Sequence, residues 1–277
     1  MTAGTAIVPG MSAGAPAGQT VSASTVFVAL LRRDVRVARR ELPYFLLRTV
    51  MQPIMFMVVF GYLLPKMGFV RGTYTAALLP GILALSLALA AVQSVTLPMV
   101  QDFGWSREIE DRLLAPIPIP LIAAEKIVMG VVQGVIAALA VLPVARVIIG
   151  PIPGLTLPHL GALVVVTILG ASTFSALGLL IGSVISPQQI GLMFSIIIAP
   201  MIFFGCAYYP WRGLDAVPVI KYAVLINPLV YVAEGMRGAL TPELPHMSLA
   251  VVTGAQLVIL TVFSTLGMRS FMRRAVG

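Results

Sequence analysis

The chain has 277 residues, of which 59% are hydrophobic and only 10% charged, and its mean hydropathy is +1.01. Soluble domains carry about 25% charged residues, so this composition excludes an ordinary soluble protein and predicts several membrane-spanning helices. The net charge of +8 arises from basic residues in short stretches between apolar runs, which is typical of a membrane protein and argues against nucleic acid as a partner.

The N-terminal region divides into a tail and a helix. Residues 1–25 have neither a basic start nor a continuous apolar core, so they predict a flexible tail rather than a cleaved signal peptide. Residues 26–43 predict an amphipathic helix in the cytoplasmic interface, which either also contacts a partner or only anchors to anionic lipid head groups. Its apolar face carries Phe27, Leu31, Val35, Ala38 and Leu42, and arginines occupy the rest.

Six uncharged apolar stretches approach the 20 or so residues that cross a hydrocarbon core about 30 Å thick. We therefore predict an all-α integral membrane protein whose six-span domain covers residues 44–274. Arg48, near one end of the first span, can extend its side chain to the interface. The predicted spans are Tyr44–Leu64, Tyr74–Val100, Ile127–Ala145, Leu160–Ile185, Gln188–Tyr209 and Ser248–Met268, the fourth and fifth being joined only by Ser186-Pro187.

Basic residues predict the orientation, because loops rich in Lys and Arg stay in the cytoplasm. In the predicted topology, 12 of the 18 basic residues fall on the side that holds both termini and the stretch around residue 112. Both termini are therefore expected in the cytoplasm.

The most charged stretch, Gln101–Lys126, lies between the second and third spans. Ser106 can cap a helix whose first turn contains Glu108 and Glu110, and the prolines from Pro116 onwards end it. These signals predict a short helix at about 106–116, which is either a solvated loop helix or a docking element.

Residues 210–247, between the fifth and sixth spans, are too apolar for a free loop. Ala216–Ile226 and Leu229–Leu240 each predict a short apolar helix, and Asn227-Pro228 separates them. Segments of this length are typical of re-entrant pieces. Glu234 and Arg237 are three residues apart and can pair on one helix face.

Several kinds of site are not predicted. The sequence has no G-x-x-x-x-G-K-[ST] phosphate loop, so any ATP is expected to be hydrolysed by another subunit. Cys206 is the single cysteine, and two histidines accompany it, so neither a disulfide nor a zinc site is expected. Ser172 lacks a base and is interpreted as a hydroxyl bonded to its own helix. The pairs Gly130/Gly134 and Gly178/Gly182 predict close helix contacts.

Three features, in order, resemble the membrane subunits of ABC-2 type exporters. The first is the basic amphipathic helix before span one. The second is an acidic stretch followed by a Leu-Leu-x-x-Pro run, although Pro116-x-Pro118-x-Pro120 is denser in proline than the family pattern. It comprises Arg107, Glu108, Ile109, Glu110, Asp111, Arg112, Leu113 and Leu114. The third is the Asn-Pro-Leu-x-Tyr-x-x-Glu-x-x-Arg signature at Asn227, Pro228, Tyr231, Glu234 and Arg237.

The resemblance implies a non-catalytic permease of a bacterial plasma membrane that works with a second, identical or homologous, permease subunit and with two ABC ATPase subunits. The short helix at 107–115 would then be the coupling helix, and the 210–247 segment would close the outer mouth of the pathway. ATP and Mg²⁺ would bind only on the partner ATPase, and this chain would hold no cofactor. Substrates in the family include hydrophobic drugs, lipids and lipid-linked glycans.

Methionine and phenylalanine side chains repack around varied apolar ligands, which favours them as the lining of an export pathway. The alternative is that they face lipid or pack the dimer seam. The candidates are Met55, Phe56, Phe60, Met193, Phe194, Met201, Phe203 and Phe204.

The sequence leaves two alternative functions. A secondary carrier or channel needs no ATPase, but ion-driven carriers usually place carboxylates at mid-membrane, and the six predicted spans contain none. A membrane-embedded enzyme would need a nucleophile with a nearby base, which the sequence does not suggest.

Overall fold

The computed structural model describes residues 23–69, 72–104, 118–148, 150 and 157–276, and over these ranges it is helical with no strand. The predicted all-α fold is confirmed. The helices are α1 Ala23–Phe56, α2 Gly72–Gly104, α3 Ile119–Ile148, α4 Leu157–Val184, α5 Pro187–Phe203, α6 Pro218–Ala223, α7 Pro228–Leu240 and α8 Leu249–Val276.

In the described ranges, five helices are long and apolar enough to cross a membrane, and they correspond to five of the six predicted spans. A sixth crossing is reached only if the bent pair Pro218–Ile226 and Pro228–Leu240 counts as one span. The short Ser186-Pro187 link between α4 and α5 is also confirmed. The backbone N–H of Ser186 donates to Gln189 Oε1 over 3.2 Å and caps the first turn after the link.

The predicted interfacial helix and the first span form one helix. α1 runs from Ala23 to Phe56 with Pro43 and Pro53 inside it, and Met57–Leu63 continue it as π-helix. A proline within a helix removes one backbone hydrogen bond without always ending the helix, so residue 43 is not a boundary. Whether residues 26–43 lie in the membrane interface stays a prediction.

The predicted fifth span is shorter than expected. α5 ends at Phe203 rather than Tyr209, and it contains a π-helical stretch, Phe194–Ile198, just before Pro200. Proline lacks the N–H that would bond to the residue four positions earlier, which favours a local change of helix type. The chain then turns sharply at Cys206, whose φ of 53° lies in the left-handed region.

The core is built around α2, which packs against α3, α4 and α7, while α4 also packs against α8. The glycines at 130, 134, 178 and 182 all make close contacts. A Cβ on Gly178 would lie 2.7 Å from the carbonyl oxygen of Val92, and one on Gly134 would lie 3.1 Å from that of Leu87. The predicted close approach of these helices is therefore confirmed, and α2 is the helix that both glycine pairs meet.

The helix bundle has a charged end and a capped end. At the charged end, α2 finishes at Gly104 and α3 begins at Ile119. At the capped end lie residues 204–247, which cover the start of α2: the backbone at Ala207 lies directly against Gly81.

Candidate functional site

The Asn227-Pro228 break is a sharp corner, with 100° between the two apolar helices it separates. Asn227 adopts the extended backbone that a residue before proline prefers, and its side chain accepts a hydrogen bond from Leu229 N over 3.0 Å. Its side-chain amide also donates to the carbonyl oxygen of Met201 at 2.8 Å. One residue thus starts α7 and holds it to α5.

Glu234 and Arg237 form an ion pair on α7, and both side chains are 0% exposed. The sequence predicted the pair, and the structure buries it completely. A charge removed from water is tolerated only where partners satisfy it, so the remaining contacts of the two groups decide what the pair does.

The Glu234 carboxylate accepts two backbone hydrogen bonds besides the one from Arg237. Trp211 N donates to Oε1 and Met247 N donates to Oε2, each over 2.9 Å. These bonds tie α7 to the turn before α6 and to the segment that leads into α8.

The Arg237 guanidinium donates to carbonyl oxygens of two further segments. Nη2 reaches Cys206 O at 3.1 Å and Ala77 O at 3.3 Å, and Nε reaches Ala77 O at 3.4 Å. We call the pair and its four backbone partners the latch. The latch fixes α7 to α2, to the turn after α5, to Trp211 and to Met247.

The rest of the predicted outer-gate motif supports the same corner. The Tyr231 hydroxyl donates to Leu225 O over 2.8 Å, across the bend at Asn227. The Trp211 indole N–H donates to Lys221 O over 2.9 Å, and the Lys221 ammonium lies 4.4 Å from the centre of the Trp211 ring. The structure therefore brings Asn227, Pro228, Tyr231, Glu234 and Arg237 together in one compact cap.

A second cluster of charges lies at the charged end, and the sequence did not predict it. Lys126 Nζ on α3 lies 3.5 Å from Asp34 Oδ2 on α1 and 3.6 Å from Asp102 Oδ2 on α2. We call these three residues the charged cluster. Glu125, beside it on α3, is also fully buried. The available signal was Asp34, an acid in a helix otherwise rich in arginine.

Arg274, near the end of α8, is another residue that sequence reasoning missed. Its Nη1 donates to the carbonyl oxygens of Gly182, Ser183 and Ile185 at 3.0–3.2 Å, and its guanidinium lies 4.6 Å from the Phe103 ring centre. A cation at the carbonyl end of a helix is favourable, so Arg274 secures the end of α4 beside the end of α2.

The predicted coupling residues 107–114 lie outside the described residues, and their role stays a prediction. The structure gives the two anchors of that segment, Gly104 and Ile119. The charged cluster adjoins both, because Asp102 is in the last turn of α2 and Lys126 is in the second turn of α3.

The predicted pathway residues occupy three kinds of environment. Met55, Phe203 and Phe204 are exposed, whereas Met193 and Met201 are buried within this chain. Phe56 and Phe60 are partly buried and contact the ring of Tyr208, with centre distances of 4.7 and 6.0 Å, and Phe194 is also partly buried. The exposed side chains are therefore the ones available to a substrate or a second subunit in this conformation.

Metal-ligand clusters and Ser172 were two kinds of site considered in the sequence. No group of three or more His, Cys, Asp or Glu residues there could hold a metal ion. The Ser172 hydroxyl donates to Ile168 O of its own helix over 2.8 Å, which confirms its interpretation as a helix-bonded hydroxyl.

Comparison with known proteins identifies the family. The family model described as ABC-2 type transporter matches residues 25–241. The inner membrane transport permease YadH of Escherichia coli K12 is 26% identical over 207 residues, which cover 69% of this chain and 74% of YadH. The ycf38 protein of Cyanophora paradoxa, which is named as a proposed transport permease, is 27% identical over 274 residues. The match covers 90% of this chain and 88% of ycf38. The chain therefore belongs to the ABC-2 type transporter family, as a membrane-embedded transport permease.

Proposed function

We propose that this chain is the permease subunit of an ATP-driven exporter in a bacterial plasma membrane. With a second permease subunit it forms the pathway for a hydrophobic or amphiphilic substrate, such as a drug, a lipid or a lipid-linked glycan. Two separate ABC ATPase subunits, which bind ATP and Mg²⁺, dock on residues 107–114. The inner-membrane location named for YadH supports the location proposed here.

The observation that carries the proposal is that three helices are joined beside the two anchors of the segment predicted to dock. Lys126 joins α3 to Asp34 of α1 and to Asp102 of α2, next to the two anchors of residues 105–117. A force transmitted through either anchor would therefore act on all three helices together.

α2 offers a route from the charged end to the capped end. It has 33 residues and is thus about 50 Å long. Most of its side chains are buried, and Ala77 near its start accepts hydrogen bonds from Arg237 of the latch. A displacement of α2 at the ATPase side would disturb the latch directly, which gives a physical link between nucleotide-driven motion and the outer mouth.

The experiment replaces Leu113 and Leu114 together by Ser in the complex with the co-expressed ATPase. Apolar residues at the centre of a contact carry most of its stability, so subunit copurification should fall strongly. Exchanging Glu110 and Asp111 for Lys should mainly reduce substrate-stimulated ATP hydrolysis, because rim charges set orientation. Both variants should insert normally.

The control is Leu266→Ser on α8, an exposed leucine far along the chain from the segment. It should leave copurification and ATP hydrolysis unchanged. Unchanged values of both in the Leu113/Leu114 variant would reject the coupling assignment. Transport by the purified chain without any ATPase would instead favour a secondary carrier.

A further inference from the structure

A cavity of about 330 Å³ lies between α1, α2 and α3, along the C-terminal half of α2. Its volume is within the range of small-molecule sites, about 300–1,000 Å³. The apolar part of its wall includes Leu42 and Phe45 of α1, Leu97 of α2, and Met129 and Val132 of α3. The apolar face predicted for the N-terminal helix therefore faces this cavity through Val35, Ala38 and Leu42.

The same cavity is lined by two guanidinium groups, those of Arg39 and Arg48, and by three amides, those of Gln93, Gln101 and Gln133. Within the part of the chain that the structure describes, no hydrogen bond or ion pair engages the side chains of Arg39, Arg48, Gln93 and Gln133, whereas Gln101 has a partner. Glu41 is the one acid in the lining, so the cavity carries an excess of positive charge.

The predicted first span places these groups near the level of lipid headgroups. Arg48 lies near one end of the first predicted span, and Arg39 is nine residues, or about 13 Å of helix, closer to the N-terminus. Helical side chains lean toward the helix N-terminus, so Arg48 extends toward the level of Arg39. The apolar wall continues from these cations into the predicted hydrocarbon region.

We propose that this cavity binds one anionic phospholipid of the surrounding leaflet. Its anionic headgroup lies between Arg39 and Arg48, the amides of Gln93 and Gln133 bind its ester oxygens, and one acyl chain lies along the apolar wall. Guanidinium groups match phosphate geometry, and a cation inside the membrane needs a counter-charge. The bound lipid bridges α1 to α2 and α3 independently of any transport cycle.

The test uses the full chain, purified in detergent and stripped of lipid. Phosphatidylglycerol and phosphatidylcholine are added separately, and bound lipid is counted by native mass spectrometry alongside the melting temperature. We expect one retained phosphatidylglycerol per chain, a higher melting temperature with it, and at least tenfold weaker binding of phosphatidylcholine.

Two pairs of variants test the site. The double variant Arg39→Gln/Arg48→Gln should weaken phosphatidylglycerol binding at least tenfold. The matched double variant Arg36→Gln/Arg40→Gln should not weaken it, because these two arginines are exposed on the same helix and lie outside the lining. Val132→Trp fills the cavity without changing charge and should also abolish retention. Val128→Trp, one turn earlier on α3 and outside the lining, should preserve it.

Three results would overturn the proposal. The first is equal binding of the two lipids. The second is an equal loss of binding in both arginine pairs, which would mean attraction to the whole basic surface. The third is a melting-temperature increase by inorganic phosphate as large as that by phosphatidylglycerol, which would indicate a free-anion site.

Discussion

Glu234 and Arg237 illustrate why a buried ion pair is sensitive to single changes. Neither side chain has exposed surface. Glu234 accepts hydrogen bonds from the backbone N–H groups of Trp211 and Met247. Arg237 donates hydrogen bonds to the carbonyl oxygens of Cys206 and Ala77. Removing one partner leaves the other charge buried and unmatched, which typically costs about 3–5 kcal/mol. Most of this cost comes from the charge that is left buried without a partner. The lost attraction between the two charges contributes less.

We therefore predict that Glu234→Ala and Arg237→Ala each reduce stability by about 3–5 kcal/mol and lower transport, while membrane insertion continues. The double variant should be less destabilised than the sum of the two, because it leaves no lone charge. Thermal unfolding in detergent and a transport assay on the same preparations measure both effects.

The matched control is Asp215→Ala, which breaks the partly exposed pair with Lys221 near the same cap. Exposed pairs contribute roughly 0–1 kcal/mol, so this variant should melt close to the wild type. Additive losses in the Glu234/Arg237 double variant, or full transport in both single variants, would count against the latch.

Lys126 has a comparable role at the charged end, with less complete burial. Lys126→Met leaves Asp34 and Asp102 without their shared cation, and we expect a loss of the order of 1–3 kcal/mol together with faster amide exchange in the turns of α1 around Asp34. Hydrogen exchange followed by mass spectrometry measures the second effect.

Lys126→Arg keeps the charge and should behave more like the wild type. Lys66→Met removes an exposed lysine at the far end of the first span and should leave exchange in α1 unchanged. If Lys126→Met and Lys66→Met gave the same exchange pattern, the charged cluster would have no part in holding α1.

At the scale of the helices, the glycine faces of α3 and α4 let both approach the backbone of α2. Gly178→Ala would place a methyl group 2.7 Å from the carbonyl oxygen of Val92, which is backbone and cannot rotate away. We predict a loss of about 1–3 kcal/mol in thermal unfolding, the usual cost of overpacking. Thr96, whose hydroxyl donates to Gly178 O over 3.1 Å, should lose this bond as the helices separate.

Gly254→Ala on α8 is the control, because a Cβ there meets nothing within 4 Å. It should be neutral or slightly stabilising, since alanine is the better helix former. Equal melting temperatures for the two variants would show that α4 can move away from α2 at no cost.

The sequence predicted the helices with the clearest local signals. Long apolar runs placed α2, α3, α4 and α8, and the proline in Asn227-Pro228 placed the break between the two short helices. The spacing of Glu234 and Arg237 also predicted their pairing. These features depend on residues close together in the chain, where periodicity and backbone chemistry are informative.

The remaining features depend on contacts between distant residues. Ala77 and Cys206 join the latch through backbone carbonyls, which carry no side-chain signal. Asp34 and Lys126 are 92 positions apart, and the early end of α5 depends on the turn at Cys206. Hydropathy alone also cannot tell whether Pro43 ends a helix or lies within one, because that depends on packing.

For the whole molecule, the two clusters of charge lie at opposite ends of α2. The charged cluster joins α1 and α3 to its last turn, and the latch joins the cap to its first turns. The close glycine contacts fix its middle. α2 is therefore held along its length by neighbours that must move with it, which favours motion of α2, α3 and α4 as one unit.

The direction in which this unit crosses the membrane is a prediction that labelling can test. The distribution of Lys and Arg predicts that the charged end faces the cytoplasm and the capped end the outside. Glu243, exposed between α7 and α8, should therefore react as Glu243→Cys with a membrane-impermeant maleimide on intact cells. Arg112→Cys should react only after permeabilisation. The native thiol of Cys206 is fully buried, so the unmodified chain should give little background and serves as the control. Labelling of Arg112→Cys but not Glu243→Cys on intact cells would reverse the topology and place the latch on the cytoplasmic side.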